Sequence, residues 1–75
     1  MSLLAVGVQD VRGEFQRGDM VRILDPEGHV VAQGLSNYAS SDVVKLKGIR
    51  SEEFGDHIAY VGEPELVHRD NLVLT

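Results

Sequence analysis

Three basic side chains form the densest group in this sequence that could bind an anion. Lys45, Lys47 and Arg50 lie within six residues, with no acidic residue among them. The chain as a whole has 7 basic and 12 acidic side chains and a formal net charge of −5, so it should repel a polyanion wherever positive charge is not locally concentrated. Two interpretations stay open. The lysines complement the carboxyl end of a helix, or the group docks a phosphate or an acidic partner surface, with Arg22 and Arg69 contributing if they reach the same face.

Other residues of catalytic types lack the spacing that chemistry would need. The triplet at 68–70, His-Arg-Asp, also begins the catalytic loop of protein kinases, but that loop requires an Asn five residues after the Asp, where Thr75 stands. His29, His57 and His68 fall on three different predicted elements, with no metal-ligand spacing between any two. The glycines match no phosphate-binding loop pattern. We therefore predict no catalytic residue, no metal site and no cofactor site in this chain.

A β-hairpin is the clearest element that the sequence predicts. In Met20–Leu24, β-branched residues recur with a period of two, which is typical of a strand. The four residues 25–28, Asp-Pro-Glu-Gly, form a turn signature, because Asp accepts a hydrogen bond, Pro presets φ and Gly adopts a left-handed conformation. Residues 29–35 are then predicted to return as the second strand.

Two short helices are predicted after the hairpin. The first has Ser40 as its N-cap and Gly48 as its left-handed end. Its core-facing side chains are predicted to be Val43, Leu46 and Val44. A second helical turn begins at Ser51, with Phe54 and Ile58 paired four residues apart.

Further short strands are predicted at residues 3–8, 60–61, 66–68 and 72–74, with a turn at 69–71. Strands that surround short helices indicate a compact, mainly β fold of the partly closed barrel type. Its 75 residues make one domain, 1–75, held by aliphatic packing because the chain has no cysteine. The apolar run at 3–8 is too short to span a bilayer. We therefore expect a soluble, cytoplasmic protein with no membrane partner.

Four ordered blocks of sequence together resemble a known family. They are SLLAVGV at residues 2–8, GEFQRGDMVRILDPEG at 13–28, GLSNY at 34–38 and VHRDNLVL at 67–74. In this order they resemble the C-terminal PUA domain of bacterial glutamate 5-kinases. The resemblance implies a PUA-like pseudo-barrel of mixed strands with short helices, excised from a longer kinase chain.

The resemblance also implies a function. The parent enzyme would transfer phosphate from ATP, with magnesium, to the side-chain carboxylate of glutamate in proline biosynthesis, using an amino-acid-kinase domain that lies outside this sequence. The chain would then be a regulatory or scaffolding domain whose partner is that kinase domain or its oligomer. PUA domains elsewhere bind RNA, commonly through a helix and an adjacent strand edge. Weak RNA binding through the basic residues is therefore the alternative function.

Overall fold

The computed structural model describes residues 2–74, in which a three-stranded antiparallel sheet is the main element. Strand β1 is Met20–Leu24, β2 is Val30–Leu35 and β3 is Leu72–Leu74, and their order across the sheet is β1-β2-β3. Exposed and half-buried residues alternate along β1, as the period-two pattern predicted. The predicted hairpin and the mainly β architecture with short helices are both confirmed.

The turn between β1 and β2 follows the chemistry expected from its sequence. The Asp25 side chain accepts hydrogen bonds from the backbone N–H groups of Glu27 and His29, at 3.0 and 2.8 Å. Gly28 has φ +90° and donates its N–H to the Asp25 carbonyl at 3.0 Å. A left-handed residue is needed here, and glycine adopts that conformation at no steric cost.

Within residues 2–74, four helical segments accompany the sheet. The α-helix α1 is Ser40–Leu46, and three short 3-10 helices are Ala5–Gly7, Ser51–Asp56 and Arg69–Asn71. The predicted positions of α1, of the helical turn after Ser51 and of the left-handed residue Gly48 (φ +75°) are confirmed. Val43 and Leu46 are buried as predicted, but Val44 is 49% exposed, so its assignment to the core is wrong.

The predicted strand at residues 3–8 is wrong. Leu3 makes only an isolated bridge to Val67, and the chain then turns into the 3-10 helix Ala5–Gly7. The Ala5 carbonyl accepts a hydrogen bond from Gly48 at 2.7 Å, just beyond the end of α1. This tertiary contact gives the backbone a partner that an extended strand would not reach, so it overrides the strand preference of the sequence.

The predicted N-cap of α1 is also wrong by one residue. Ala39 occupies the N-cap position and makes no side-chain capping bond. The Ser40 hydroxyl instead donates to the Phe15 carbonyl and accepts from the Phe15 N–H, at 3.2 and 3.1 Å. The hydroxyl is therefore used to hold a distant loop against the helix rather than to satisfy the first turn.

Two of the predicted short strands do not form as predicted. Residues 60–61 have no regular secondary structure, and within 66–68 only Val67 takes part in a bridge. Tyr60 packs its ring against the ring of Tyr38, with 5.8 Å between centroids. Side-chain packing on the core therefore fixes this segment in place of a strand partner.

The hydrophobic core is centred on Tyr38, which is fully buried. Its ring meets Phe54 edge to face, with 5.8 Å between the ring centroids. Its hydroxyl donates to the Glu63 carbonyl at 2.5 Å and accepts from the Gly62 N–H at 3.1 Å. The other core residues are Ala5, Val43, Leu46, Ile58 and Leu66, with Leu3, Val8, Val11, Phe15 and Ile49 packed against them.

Gly34 marks the closest approach between β2 and the C-terminal segment. A Cβ atom at this position would lie 2.5 Å from the Asn71 carbonyl oxygen and 2.6 Å from a Val67 methyl group. Both distances are too short for any side chain, and one of the atoms belongs to the backbone. Glycine is therefore required for β3 to pair with β2.

Gly34→Ala should destabilise the domain by about 1–3 kcal/mol, because the new methyl group forces apart a backbone that is already in contact. Urea denaturation followed by circular dichroism measures the change. Gly7→Ala is the matched control, since a Cβ at Gly7 meets nothing within 4 Å; its effect should stay within about 0.5 kcal/mol. Equal midpoints for the two variants would contradict the close approach at Gly34.

Tyr38 should make the fold sensitive to alkaline pH. Burial raises the pKa of its phenol above the ordinary value, and repulsion from nearby acidic groups adds to this effect. The folded state therefore holds the proton more tightly than the unfolded state, so the contribution of Tyr38 to stability is fully present below a pH of about 10 and is lost as the pH rises above it.

Tyr38→Phe should remove that alkaline loss and also cost about 1–2 kcal/mol at neutral pH, because the Glu63 carbonyl and the Gly62 N–H lose their partner. Unfolding midpoints at pH 7 and pH 10.5 test both effects. Tyr60→Phe, on the half-exposed ring next to it, should keep the alkaline loss. Parallel pH profiles for wild type and Tyr38→Phe would refute this assignment.

Candidate binding surface

Lys45 and Lys47 lie at the carboxyl end of α1, where both side chains are exposed. The Lys47 N–H closes the last helical turn on the Val43 carbonyl at 2.9 Å. Gly48 then reverses the chain and ties it to the 3-10 helix Ala5–Gly7. Two positive charges at this end offset the partial negative charge of the helix dipole, and both ammonium groups remain open to solvent.

Arg50 follows two residues after this reversal, and its charge is shared with an acidic neighbour. Its guanidinium lies 3.0 Å from a carboxylate oxygen of Glu52. The hydroxyl of Ser51 donates to the same carboxylate at 3.1 Å. The pKa of Glu52 is lowered, first by this Ser51 hydrogen bond and then by its own backbone N–H and the Arg50 charge. Glu52 is therefore ionised at neutral pH and neutralises part of the predicted basic group.

A shallow cavity of about 150 Å³ opens beside Arg50. Its floor is largely apolar, and the charged pair of Arg50 and Glu52 lies on its wall. The lining residues are Leu4, Ala5, Val6, Ile49, Arg50, Ser51, Glu52 and Pro64. The cavity could hold a small apolar group next to one hydrogen-bonding or charged group.

The remaining two predicted residues belong to the sheet rather than to α1. Arg22 lies in β1 opposite Gln33 of β2. Arg69 begins the 3-10 helix that precedes β3, and its backbone N–H donates to the Ser2 hydroxyl at 3.1 Å. The most extensive contacts between elements join the strands to one another, and α1 also contacts the helix Ala5–Gly7. Lys45 and Lys47 lie at the end of α1 and Arg50 just before the next helix, whereas Arg22 and Arg69 lie on other elements.

An arginine–tyrosine contact was missed from the sequence. Arg17 donates a hydrogen bond to the Tyr60 hydroxyl at 2.7 Å, and its guanidinium carbon lies 4.9 Å from the centre of the Tyr60 ring. The two residues are 43 positions apart, and neither lies in a recognisable motif. No local pattern could have paired them. The contact holds the segment after Ala59 against the loop before β1.

Asp25, Glu27 and His29 bring three possible metal-ligating side chains together at the tip of the hairpin. One oxygen of Asp25 already accepts both backbone hydrogen bonds of the turn, and the other lies 3.5 Å from the His29 ring. Glu27 and His29 are exposed. The cluster is accounted for by turn formation, and we assign it no ligand.

Residues 2–74 contain no helix with the length and apolar character needed to cross a lipid bilayer.

Comparison with known families defines the class of this chain. Residues 1–58 match the family model described as the PUA domain. Because the match covers more than half of the chain, the chain belongs to the PUA domain family. The resemblance stated from the four sequence blocks is thereby confirmed.

The curated proteins to which the chain is similar belong to a narrower group. Glutamate 5-kinase of Nitrosospira multiformis is 52% identical over 73 residues, which cover 97% of this chain and 20% of that protein. The glutamate 5-kinase of Marinomonas sp. is 53% identical over the same shares, and that of Trichormus variabilis is 49% identical over 74 residues. The chain therefore spans about a fifth of the length of the relatives it matches.

Glu52→Gln should strengthen binding of a polyanion at this surface, because it frees the Arg50 charge. We expect the apparent affinity for heparin or single-stranded RNA to rise, and the salt dependence to steepen by about one released counterion. Fluorescence anisotropy over a salt series measures both. Glu53→Gln is the matched control, since it removes the same charge from the adjacent exposed position. Equal gains from the two variants would show that net charge, and not release of Arg50, is responsible.

Proposed function

We propose that this chain is a non-catalytic accessory domain of a glutamate 5-kinase and acts through contacts with the amino-acid-kinase part of the same chain or of its oligomer. The observation that carries the proposal is the match to glutamate 5-kinases over 97% of the chain at about half identity, confined to 20% of each relative. A match of this kind indicates one module of a larger enzyme.

The parent protein would phosphorylate the side-chain carboxylate of L-glutamate with ATP, as an early step of proline biosynthesis in the cytoplasm. ATP and magnesium would bind in the kinase part, which supplies the phosphoryl-transfer chemistry. The role left for this chain is to position or regulate that part.

Several polar side chains of types that could act in catalysis are hydrogen-bonded to the backbone, which supports a non-catalytic role. Ser36 donates to the Tyr38 carbonyl at 2.6 Å, and Ser40 bonds the Phe15 backbone. The carboxylate of Asp19 accepts from the Gln16 N–H at 2.8 Å, and the His68 ring accepts from the Asp70 N–H at 3.1 Å. Each of these groups hydrogen-bonds nearby backbone, so it stabilises a turn or a loop.

RNA binding is the second candidate, favoured by one observation. Lys45 and Lys47 are both exposed at the carboxyl end of α1. The net charge of −5 and the pairing of Arg50 with Glu52 weaken this surface. The buried rings of Tyr38 and Phe54 are inaccessible for stacking on bases. We therefore rank it below the accessory role.

The accessory role can be tested by exchanging the matching region of a related glutamate 5-kinase for this chain. The matched fifth of the Nitrosospira multiformis glutamate 5-kinase is replaced by this chain, and the chimera is compared with the enzyme from which that fifth is deleted. We expect the chimera to resemble the intact enzyme, and the deleted enzyme to differ in kcat, KM or oligomeric state. The 75-residue chain alone should produce no glutamyl phosphate. Turnover by the chain alone, or identical behaviour of chimera and deleted enzyme, would overturn the proposal.

The RNA alternative has a separate test. Anisotropy of labelled structured RNA is measured with the wild-type chain and with the Lys45→Glu, Lys47→Glu double variant at low and physiological salt. Salt-sensitive binding that the double variant loses would place RNA first. Absence of binding at low salt would remove RNA from consideration.

A further inference from the structure

One face of the three-stranded sheet is turned away from the core and carries mostly apolar side chains. The pairing of the strands places directly opposed residues on the same face: Met20 lies opposite Leu35, and Arg22, Gln33 and Val73 form a row across the three strands. We call this the outer face; it consists of Met20, Arg22, Leu24, Val30, Gln33, Leu35 and Val73, with Val30 opposite Leu24 beyond an irregularity in the strand pairing. On the opposite side Ala32 and Gly34 are buried and Val21 and Ile23 are half-buried, whereas Leu74, which lies opposite Ala32, is exposed.

Most side chains of the outer face are apolar and exposed. Met20 and Val73 are 59% and 60% exposed, and Leu24 and Leu35 are also exposed. A quarter of the whole chain is charged, but Arg22 is the one charged residue in the three described strands. Exposed apolar side chains that adjoin one another, in contrast to singly scattered ones, are a feature of contact surfaces.

We propose that the outer face of the sheet docks against the amino-acid-kinase part of the same chain. This inference rests on the proposed accessory function and adds to it the surface through which the domain acts. The surface it meets should be apolar and should carry a carboxylate opposite Arg22, because among residues 2–74 no carboxylate lies within ion-pairing distance of that guanidinium.

The dimensions of the face favour a tethered partner over a second copy of the domain. Five residues along a strand and three strands across give a planar footprint of about 17 by 10 Å. A stable interface between free proteins buries about 800 Å² on each side, several times this footprint. Two copies would also bring together charges of −5 each.

A covalently linked partner needs far less area. Tethering replaces dilute concentration by an effective concentration in the millimolar range, so a small apolar contact suffices. About four fifths of the length of each relative lies outside the region that this chain matches. In glutamate 5-kinases, a large covalently linked region on the same polypeptide is therefore available as the partner.

Cysteine labelling can test whether the outer face is covered. The chain has no cysteine, so Val73→Cys on the outer face and Val44→Cys on α1 each introduce a single thiol at an exposed valine. Maleimide labelling is followed by mass spectrometry of the peptide that contains the new thiol, in the 75-residue chain and in the Nitrosospira chimera. We expect both thiols to react quickly in the chain alone, and Val73→Cys to slow by about tenfold or more in the chimera, because burial limits thiol reactivity. The rate at Val44→Cys should change by less than about twofold.

Each other outcome overturns the inference. Fast labelling of Val73→Cys in an active chimera would show a free outer face while leaving the accessory role intact. Slow, concentration-dependent labelling in the 75-residue chain alone would identify a second copy as the occupant. A chimera that behaves like the deleted enzyme would refute the accessory role itself. If the chimera does not fold, the chain is mixed at about 1 mM with the remaining four fifths of the Nitrosospira enzyme, which matches the tethered concentration; equal labelling with and without that part would then refute docking.

Discussion

The buried phenol of Tyr38 is the interaction on which the rest of this small fold depends. Its ring fills the core against Phe54, and its hydroxyl bonds the backbone at Gly62 and Glu63, 24 and 25 residues further along the chain. Ser36 holds the Tyr38 backbone from the other side through its hydroxyl. One residue thus joins the end of β2, the approach to α1 and an otherwise irregular segment. In a chain without disulfides, such a satisfied polar group within the core does much to select one packing among many.

The parts of the fold that could be predicted are those whose causes lie close in sequence. The hairpin forms because the Asp25 carboxylate and the left-handed Gly28 act on atoms within four residues, and α1 ends at a glycine for the same local reason. The segment 3–8 and the role of Ser40 were predicted wrongly because their partners lie 25 or more residues away. Strand and cap propensities are weak preferences, and a single distant backbone partner is enough to override them.

The candidate binding surface also combines features that could be predicted from the sequence with features that could not. Lys45, Lys47 and Arg50 could be grouped from their spacing alone, and the structure keeps them in one neighbourhood at the end of α1. The pairing of Arg50 with Glu52 was missed although the two residues are only two positions apart, because spacing alone does not show which neighbouring charge a side chain turns towards. The contact between Arg17 and Tyr60 depends on how two loops meet. The period-two pattern in β1 predicted a strand, but not that the strand pairing would gather apolar side chains on one face of the sheet.

The sheet has only three strands, so β1 and β3 each present one edge whose backbone groups are unpaired by any strand of the described residues. Such edges are templates for pairing with other chains, and their sequences here contain neither proline nor lysine to discourage it. Mutual repulsion of negatively charged molecules is then the main obstacle to edge-to-edge association. That obstacle vanishes near the isoelectric point of about 4.9. The free domain is therefore best purified and stored at a pH well above its isoelectric point. There, charge repulsion and not the architecture of the sheet keeps the molecules apart.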